Sequence, residues 1–261
     1  MNRRFFLQKG APAAALASSA FLAEPAAASP DAAPAYCQLI TFRLHFVQME
    51  RFLGWLEKSA FPALNMAGLN PLGAFTMEIG PHVPSVLLLT QHANLAELDA
   101  GWQKLAADNE WSAGIAEMES AGPRYFRRDS ILLRATPFSP PLAPTAAGVT
   151  NKVYELRHYE ASTQRQLQMM HDRFTGGEIE VFAQCGIRPI YYGNTVVGPD
   201  MPNMIYLTPF ESAAAREKAW AAFREHPGWK KLAAEWMEKS GELARNIGNW
   251  MLAPTGFSKL R

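Results

Sequence analysis

The chain is poor in cysteine. Cys37 and Cys185 are the only two in 261 residues, and they lie far apart. That excludes a disulfide framework and any metal-thiolate pair of the C-x-x-C kind. Neither sign of charge is in excess: 25 lysines and arginines stand against 24 acidic residues. A balanced chain lacks the basic field that nucleic acid requires and the polybasic face that anionic lipid attracts. No segment reaches the roughly 20 apolar residues of a spanning helix, so no integral membrane segment is expected. There is also no G-x-S-x-G elbow, H-E-x-x-H helix, P-loop or dinucleotide fingerprint. No metal site is expected, and no standard catalytic signature announces a reaction.

What is present begins at the N-terminus. Residues 1–28 read as a twin-arginine export signal: Arg3-Arg4 followed by Phe6-Leu7, a weakly apolar stretch from Ala11 to Leu22, and the small residues Ala26-Ala27-Ala28 before Ser29. The expected location is the periplasm. The segment contains Arg3, Arg4, Lys9 and Glu24, so its removal takes the formal charge from +1 to −1. Export in the folded state argues for two free, buried thiols even though the compartment is oxidising.

Displaced by 118 residues, the chain matches itself. Gly68 and Pro71 fall on Gly186 and Pro189, Gly80-Pro81 on Gly198-Pro199, Leu89-Thr90 on Leu207-Thr208, Trp102 on Trp220 and Trp111 on Trp229. A single offset without gaps points to an internal duplication. The units are residues 36–134 and 150–255, joined by a Pro-rich linker at 135–149. In the second unit, periodicity predicts a strand at Lys152–Tyr159, a helix at Thr163–Gln184 with a weak point at Gly176-Gly177, strands at Ile190–Val197 and Met204–Thr208, a helix over Ser212–Asn246 interrupted at His226-Pro227-Gly228, and a strand at Ile247–Leu252. The order βαββαβ is the ferredoxin-like unit, whose sheet has helices on one face only. Two uncovered sheet faces in one chain can cover each other. The expected fold is α+β: two tandem ferredoxin-like units forming an eight-stranded α+β barrel with helices outside.

The strand VYELRHYEAS, Val153 to Ser162, carries polar groups where a core strand would not. Alternation gives Glu155, Arg157 and Tyr159 one face, and Tyr154, Leu156 and His158 the other. The first face is read as pointing into the barrel. At the 118-residue offset these three align with Cys37, Leu39 and Thr41, while Tyr191, Tyr192, Asn194 and Tyr206 align with Gly73, Ala74, Thr76 and Leu88. Polar and aromatic groups therefore concentrate in the second unit.

VYELRHYEAS resembles the opening strand of the NIPSNAP family, and GPDMPNMIYLTPFESAAAREKAWAAF and HPGWKK are similar to its third strand and second helix. The resemblance is strong over Lys152–Glu235 and weaker over Tyr36–Met118. It implies two tandem NIPSNAP domains within the dimeric α+β barrel superfamily, which also includes haem-dependent and cofactor-free oxygenases. Shared architecture names no reaction.

Three functional readings follow. The first is a protein that binds a small apolar or aromatic anion in the barrel, with Arg157 holding the anion and Tyr159, Tyr192, Asn194 and Tyr206 shaping the pocket. The second is an oxygenase, haem-dependent or cofactor-free, with Glu155 or His226 as the reactive group; a haem would need a histidine ligand, for which His158, His171 and His226 are available. The third is a non-catalytic assembly protein whose outer helices bind partners. A Glu–Arg–Tyr network that merely fixes the barrel interface accounts for the same strand without a ligand. Unpaired edges of an imperfect barrel would make a homo-oligomer possible.

Overall fold

The computed structural model describes residues 35–120, 122 and 124–261. The export segment, 1–28, lies outside the described residues. Strands β1 (Tyr36–Arg43), β2 (Pro71–Ile79), β3 (Ser85–His92) and β4 (Arg127–Ala135) form the first repeat. The second holds β5 (Val153–Glu160), β6 (Tyr191–Val197), β7 (Asn203–Phe210) and β8 (Asn246–Pro254). They close into one antiparallel barrel in the order β1-β3-β2-β8-β5-β7-β6-β4. Its two seams are β2 with β8 and β4 with β6, so each repeat's last strand pairs with the other repeat's second. Every strand has two neighbours. The unpaired edges suggested as a route to oligomers are therefore absent among the described residues.

Each first helical arm contains a wide turn in the same place. In the first repeat α1 (Met49–Trp55) runs through a π-helical turn, Leu56–Ala60, into α2 (Phe61–Met66). The return helices are α3 (Leu95–Ala106) and α4 (Asn109–Ser120). In the second repeat α5 (Gln164–Arg173) passes through Phe174–Glu178 into α6 (Ile179–Gln184). The glycine pair expected as a weak point is one: Gly177 takes a non-helical φ of 138° and kinks the helix inside the wide turn. α7 (Ala213–Glu225) starts under a Ser212 cap, and α8 (Pro227–Ser240) under a His226 cap. α8 stops at Ser240, short of the expected Asn246, because Gly241 takes φ 69° and turns the chain away.

Alternation along the strands separates a barrel core from a helix-facing core in each repeat. Leu39, Leu87, Leu89, Leu133, Tyr154, Leu156, Ile205, Leu207 and Leu252 fill the barrel. Ile40, Phe42 and Leu88 in the first repeat, and Tyr159, Tyr192 and Tyr206 in the second, face the helices. This corrects the expected orientation. Glu155, Arg157 and Tyr159 point outward, beneath α7 and the α5–α6 arm, and the more apolar face of β5 lines the barrel. Their network therefore does not lie at the interface between repeats.

The gapless offset also needs correction. Leu39 sits opposite Leu89 and Leu156 opposite Leu207. The β3 and β7 partners differ by 118 positions, whereas Leu39 and Leu156 differ by 117. The second repeat has one extra residue between its first strand and first helix. The counterparts of Glu155, Arg157 and Tyr159 are accordingly Gln38, Ile40 and Phe42, not Cys37, Leu39 and Thr41.

Residues 136–152 form neither helix nor strand. This connection is packed all the same: Leu142 joins Leu260 in the barrel core, and Thr145 N–H donates to the Lys259 carbonyl at 2.9 Å. Together they stop one end of the barrel. Both cysteines are free; Cys37 is buried in the barrel, but Cys185 is only half-buried. No helix among the described residues is long and apolar enough to cross a membrane.

Candidate ligand cavity

A cavity of about 510 Å³ lies between the second repeat's sheet and its helices, within the range of small-molecule sites. β5 supplies Arg157 and Tyr159, the end of α5 supplies Arg173, the π turn supplies Glu178, and α7 supplies Arg216. Trp220, Trp229 and Trp236 form the aromatic walls. The wide turn matters locally, because it brings residues five apart onto one side. Arg173 Nε donates to Glu178 Oε2 at 2.8 Å.

Glu155 lies behind this wall and is fully buried. Its Oε1 accepts from Arg157 Nη1 at 3.0 Å and Arg216 Nη2 at 2.6 Å, and its Oε2 from the Trp220 indole at 2.6 Å. With three donors and no exposed surface, this carboxylate anchors the cluster and is not available as a base. Arg157 stacks on Trp220, 4.3 Å from the ring centroid, and its Nη2 donates to the Tyr159 hydroxyl at 3.3 Å. Burial opposes the charge on Arg157, but the Tyr206 and Tyr159 phenols and Glu155 outweigh it and keep the guanidinium charged. Arg173 is the least committed of the three arginines. Its terminal nitrogens donate to no protein group among the described residues, which leaves a planar fork free for a carboxylate. Burial pushes the Glu178 carboxyl up, against the Arg173 and Arg157 charges that pull it down.

The remaining expected site residues separate. Tyr206 donates to the Tyr159 hydroxyl at 3.2 Å from the layer beneath the cavity. Burial raises the pKa values of both Tyr206 and Tyr192. Tyr192 packs on Phe138, Phe174 and Tyr206, and its buried hydroxyl has no partner among the described residues. Asn194 accepts from His171 Nε2 at 2.9 Å, outside the cavity. His226 uses Nδ1 to accept from the Gly228 N–H at 3.1 Å, so it is the α8 cap and does not line the cavity.

Arg173, Glu178 and Arg216 lie on the helical arms, away from the strand positions that mark the second repeat as the polar one. The helices carry the missing signal. At the 118-residue offset these positions are Trp55, Ala60 and Leu98 in the first repeat, and all three pack in or against its apolar core.

The cavity wall has no histidine and no cysteine. A haem held by imidazole or thiolate therefore does not fit these residues. No group of three or more His, Cys, Asp or Glu residues among the described ones is arranged to hold a metal ion.

Comparison with known proteins agrees with this architecture. The NIPSNAP family model matches residues 37–140 and again 154–259. The chain belongs to the NIPSNAP family, in tandem form. A proposed monooxygenase from Lactobacillus acidophilus NCFM superposes with TM-score 0.53 at 12% identity, covering 85% of this chain and 94% of that one. An anthrone oxidase-like protein gives 0.53 at 13%, covering 85% and 92%. A NIPSNAP family protein from Agrobacterium tumefaciens C58 gives 0.38 at 22%, and covers 42% of this chain and 93% of its own. At these identities the first two share the fold. No curated protein matches the chain.

Proposed function

We propose that the second repeat binds a small aromatic or apolar anion between its sheet and its helices. One observation carries the reading. On equivalent backbones, the first repeat uses Ile40, Trp55 and Leu98 where the second uses Arg157, Arg173 and Arg216. The fold therefore does not need these charges, and burying them opposes stability unless they are paired. The buried Glu155 and Glu178 and the exposed Glu217 pair with the three guanidiniums. The free Arg173 fork suits a carboxylate, and the tryptophans suit a flat apolar body.

Calorimetric titration with benzoate and its uncharged isostere benzamide tests this. Benzoate should bind saturably, benzamide at least tenfold more weakly, and Arg173→Gln should remove that difference while the protein stays folded. Equal affinities for the two, or no saturable benzoate binding, would overturn it.

Glu178 favours a second reading, an oxygenase without a haem. It is a buried carboxyl with a raised pKa, facing the ligand space, which is the environment of a general base. With anthrone as the probe, Glu178 would take the ring-carbon proton. Molecular oxygen would accept the electrons, giving anthraquinone and water. Oxygen uptake that depends on anthrone and is lost in Glu178→Gln would support it; uptake unchanged in the variant would count against it.

The proposed compartment is the periplasm, from the Arg3-Arg4 motif and the Ala26-Ala27-Ala28 site. Mature chain still in the periplasmic fraction after both arginines are changed to lysine would argue against that route.

A further inference from the structure

The barrel has one stopped end and one open end. Leu142 and Leu260 close the first. At the other end a separate cavity of about 460 Å³ runs inward between the hairpin tips at Pro81-His82 and Pro199-Asp200. Its floor is apolar, made by Ile131, Ile205 and Trp250. His158 stands on the inner face of β5 with its ring 4.4 Å from that of Trp250, inclined by 34°. The imidazole makes no side-chain hydrogen bond among the described residues, and its Nε2 is buried and unpartnered. Across the barrel the first repeat offers a different wall, where Asp129 accepts from Arg43 at 2.7 Å and from Arg127 at 3.1 Å.

Register explains why the space exists. His158 faces Gly248 on β8, which has no side chain to occupy the mouth. The equivalent pair in the first repeat is Thr41 and Asp129, and there Arg43 folds onto the carboxylate. One half of the mouth is thus a closed ion pair, and the other is an aromatic shelf beside an empty position. The charged side chains balance: Arg43 and Arg127 against Asp129 and Asp200. Burial lowers the His158 pKa to about 4, so the imidazole is neutral at pH 7. Nothing here attracts an anion, unlike the cavity under α7.

We infer that the open end of the barrel is a second binding site, for a planar uncharged aromatic molecule that lies along Trp250 and hydrogen-bonds to His158 Nε2 through a hydroxyl or ring N–H. A flat ring fills the shelf, and its polar group satisfies a buried nitrogen that otherwise has no partner. This inference does not depend on the anion reading.

The probe is 2-naphthol, titrated calorimetrically into the mature chain. Gly248→Leu places a side chain in the mouth; a Cβ there meets His158 Cβ at 3.5 Å and Cγ at 3.9 Å, ordinary contacts. The expected result is saturable binding, weakened at least tenfold by Gly248→Leu and by His158→Ala and unchanged by Arg173→Gln. Benzoate binding should be unaffected by Gly248→Leu. Should Gly248→Leu fail to fold, Trp250→Leu carries the same expectation. No saturable binding of 2-naphthol, or equal affinity in the folded mouth variants, would overturn the inference.

Discussion

The Trp220 indole N–H donates to Glu155 at 2.6 Å, and in the first repeat Trp102 donates to Gln38 at 3.2 Å from the equivalent place. The same tryptophan meets a charged acceptor in one repeat and a neutral one in the other. Only the charged acceptor also holds two arginines. Removing it leaves Arg157 and Arg216 without their counter-charge, a loss of about 3–5 kcal/mol for a buried pair. Glu155→Ala should therefore lower the unfolding free energy by about that amount, and Gln38→Ala by only about 1 kcal/mol. Urea denaturation of the two variants measures the difference. Equal losses would mean that Glu155 acts only as a hydrogen-bond acceptor.

Grafting the first repeat's residues onto the second separates stability from function. The triple change Glu155→Gln, Arg157→Ile and Arg216→Leu restores what Gln38, Ile40 and Leu98 do. Replacing buried ions by packed apolar groups is often neutral or stabilising by about 1–4 kcal/mol. The variant should melt no lower than the native chain and should bind benzoate at least tenfold more weakly. A large loss of stability would mark the charges as structural.

Acid should weaken the fold through histidines buried in the neutral form. Burial lowers the His92 pKa from 6.5 to about 4, against the pull of Glu97. The unfolded chain takes up this proton below about pH 6.5, and the folded chain only near pH 4. The contribution is therefore complete above pH 6.5 and is lost as pH falls through that window. It amounts to about 3 kcal/mol. His158 and His171 behave in the same sense. Stability measured from pH 7 to pH 4 should fall with proton uptake on unfolding, and His92→Gln should reduce that uptake by about one proton. A flat profile would contradict the burial of these rings.

Each repeat builds the barrel core with a glycine and an aromatic residue two positions apart, in opposite order. The Phe75 ring covers Gly73, and the Tyr191 ring covers Gly193. A methyl on Gly193 would lie 2.7 Å from Cε1 and Oη of Tyr191 and 3.0 Å from Leu133 Cβ. Gly193→Ala should cost about 1–3 kcal/mol by overpacking. Adding Tyr191→Leu should recover part of that loss, since contacting sites couple. A thermal-melt double-mutant cycle checks this, and strict additivity would exclude the contact.

The sequence alone determined the elements, their βαββαβ order, the duplication and the tandem family domains. Those follow from local periodicity, turn residues and a repeat of Gly, Pro and Trp, all of which are properties of short segments. It also marked the second repeat as the polar one. Only the tertiary structure decided which face of β5 meets the other sheet. Alternation defines two faces but does not assign them, and the greater apolar content of Tyr154 and Leu156 sends that face inward. The extra residue after β5 was invisible for the same reason, because register is fixed by the partner strand, as Leu156 opposite Leu207 shows. Arg173, Glu178 and Arg216 each look like ordinary helix residues in sequence. They become one site because a π turn and a second helix carry them over the same strand, where Glu155 and Arg157 already stand.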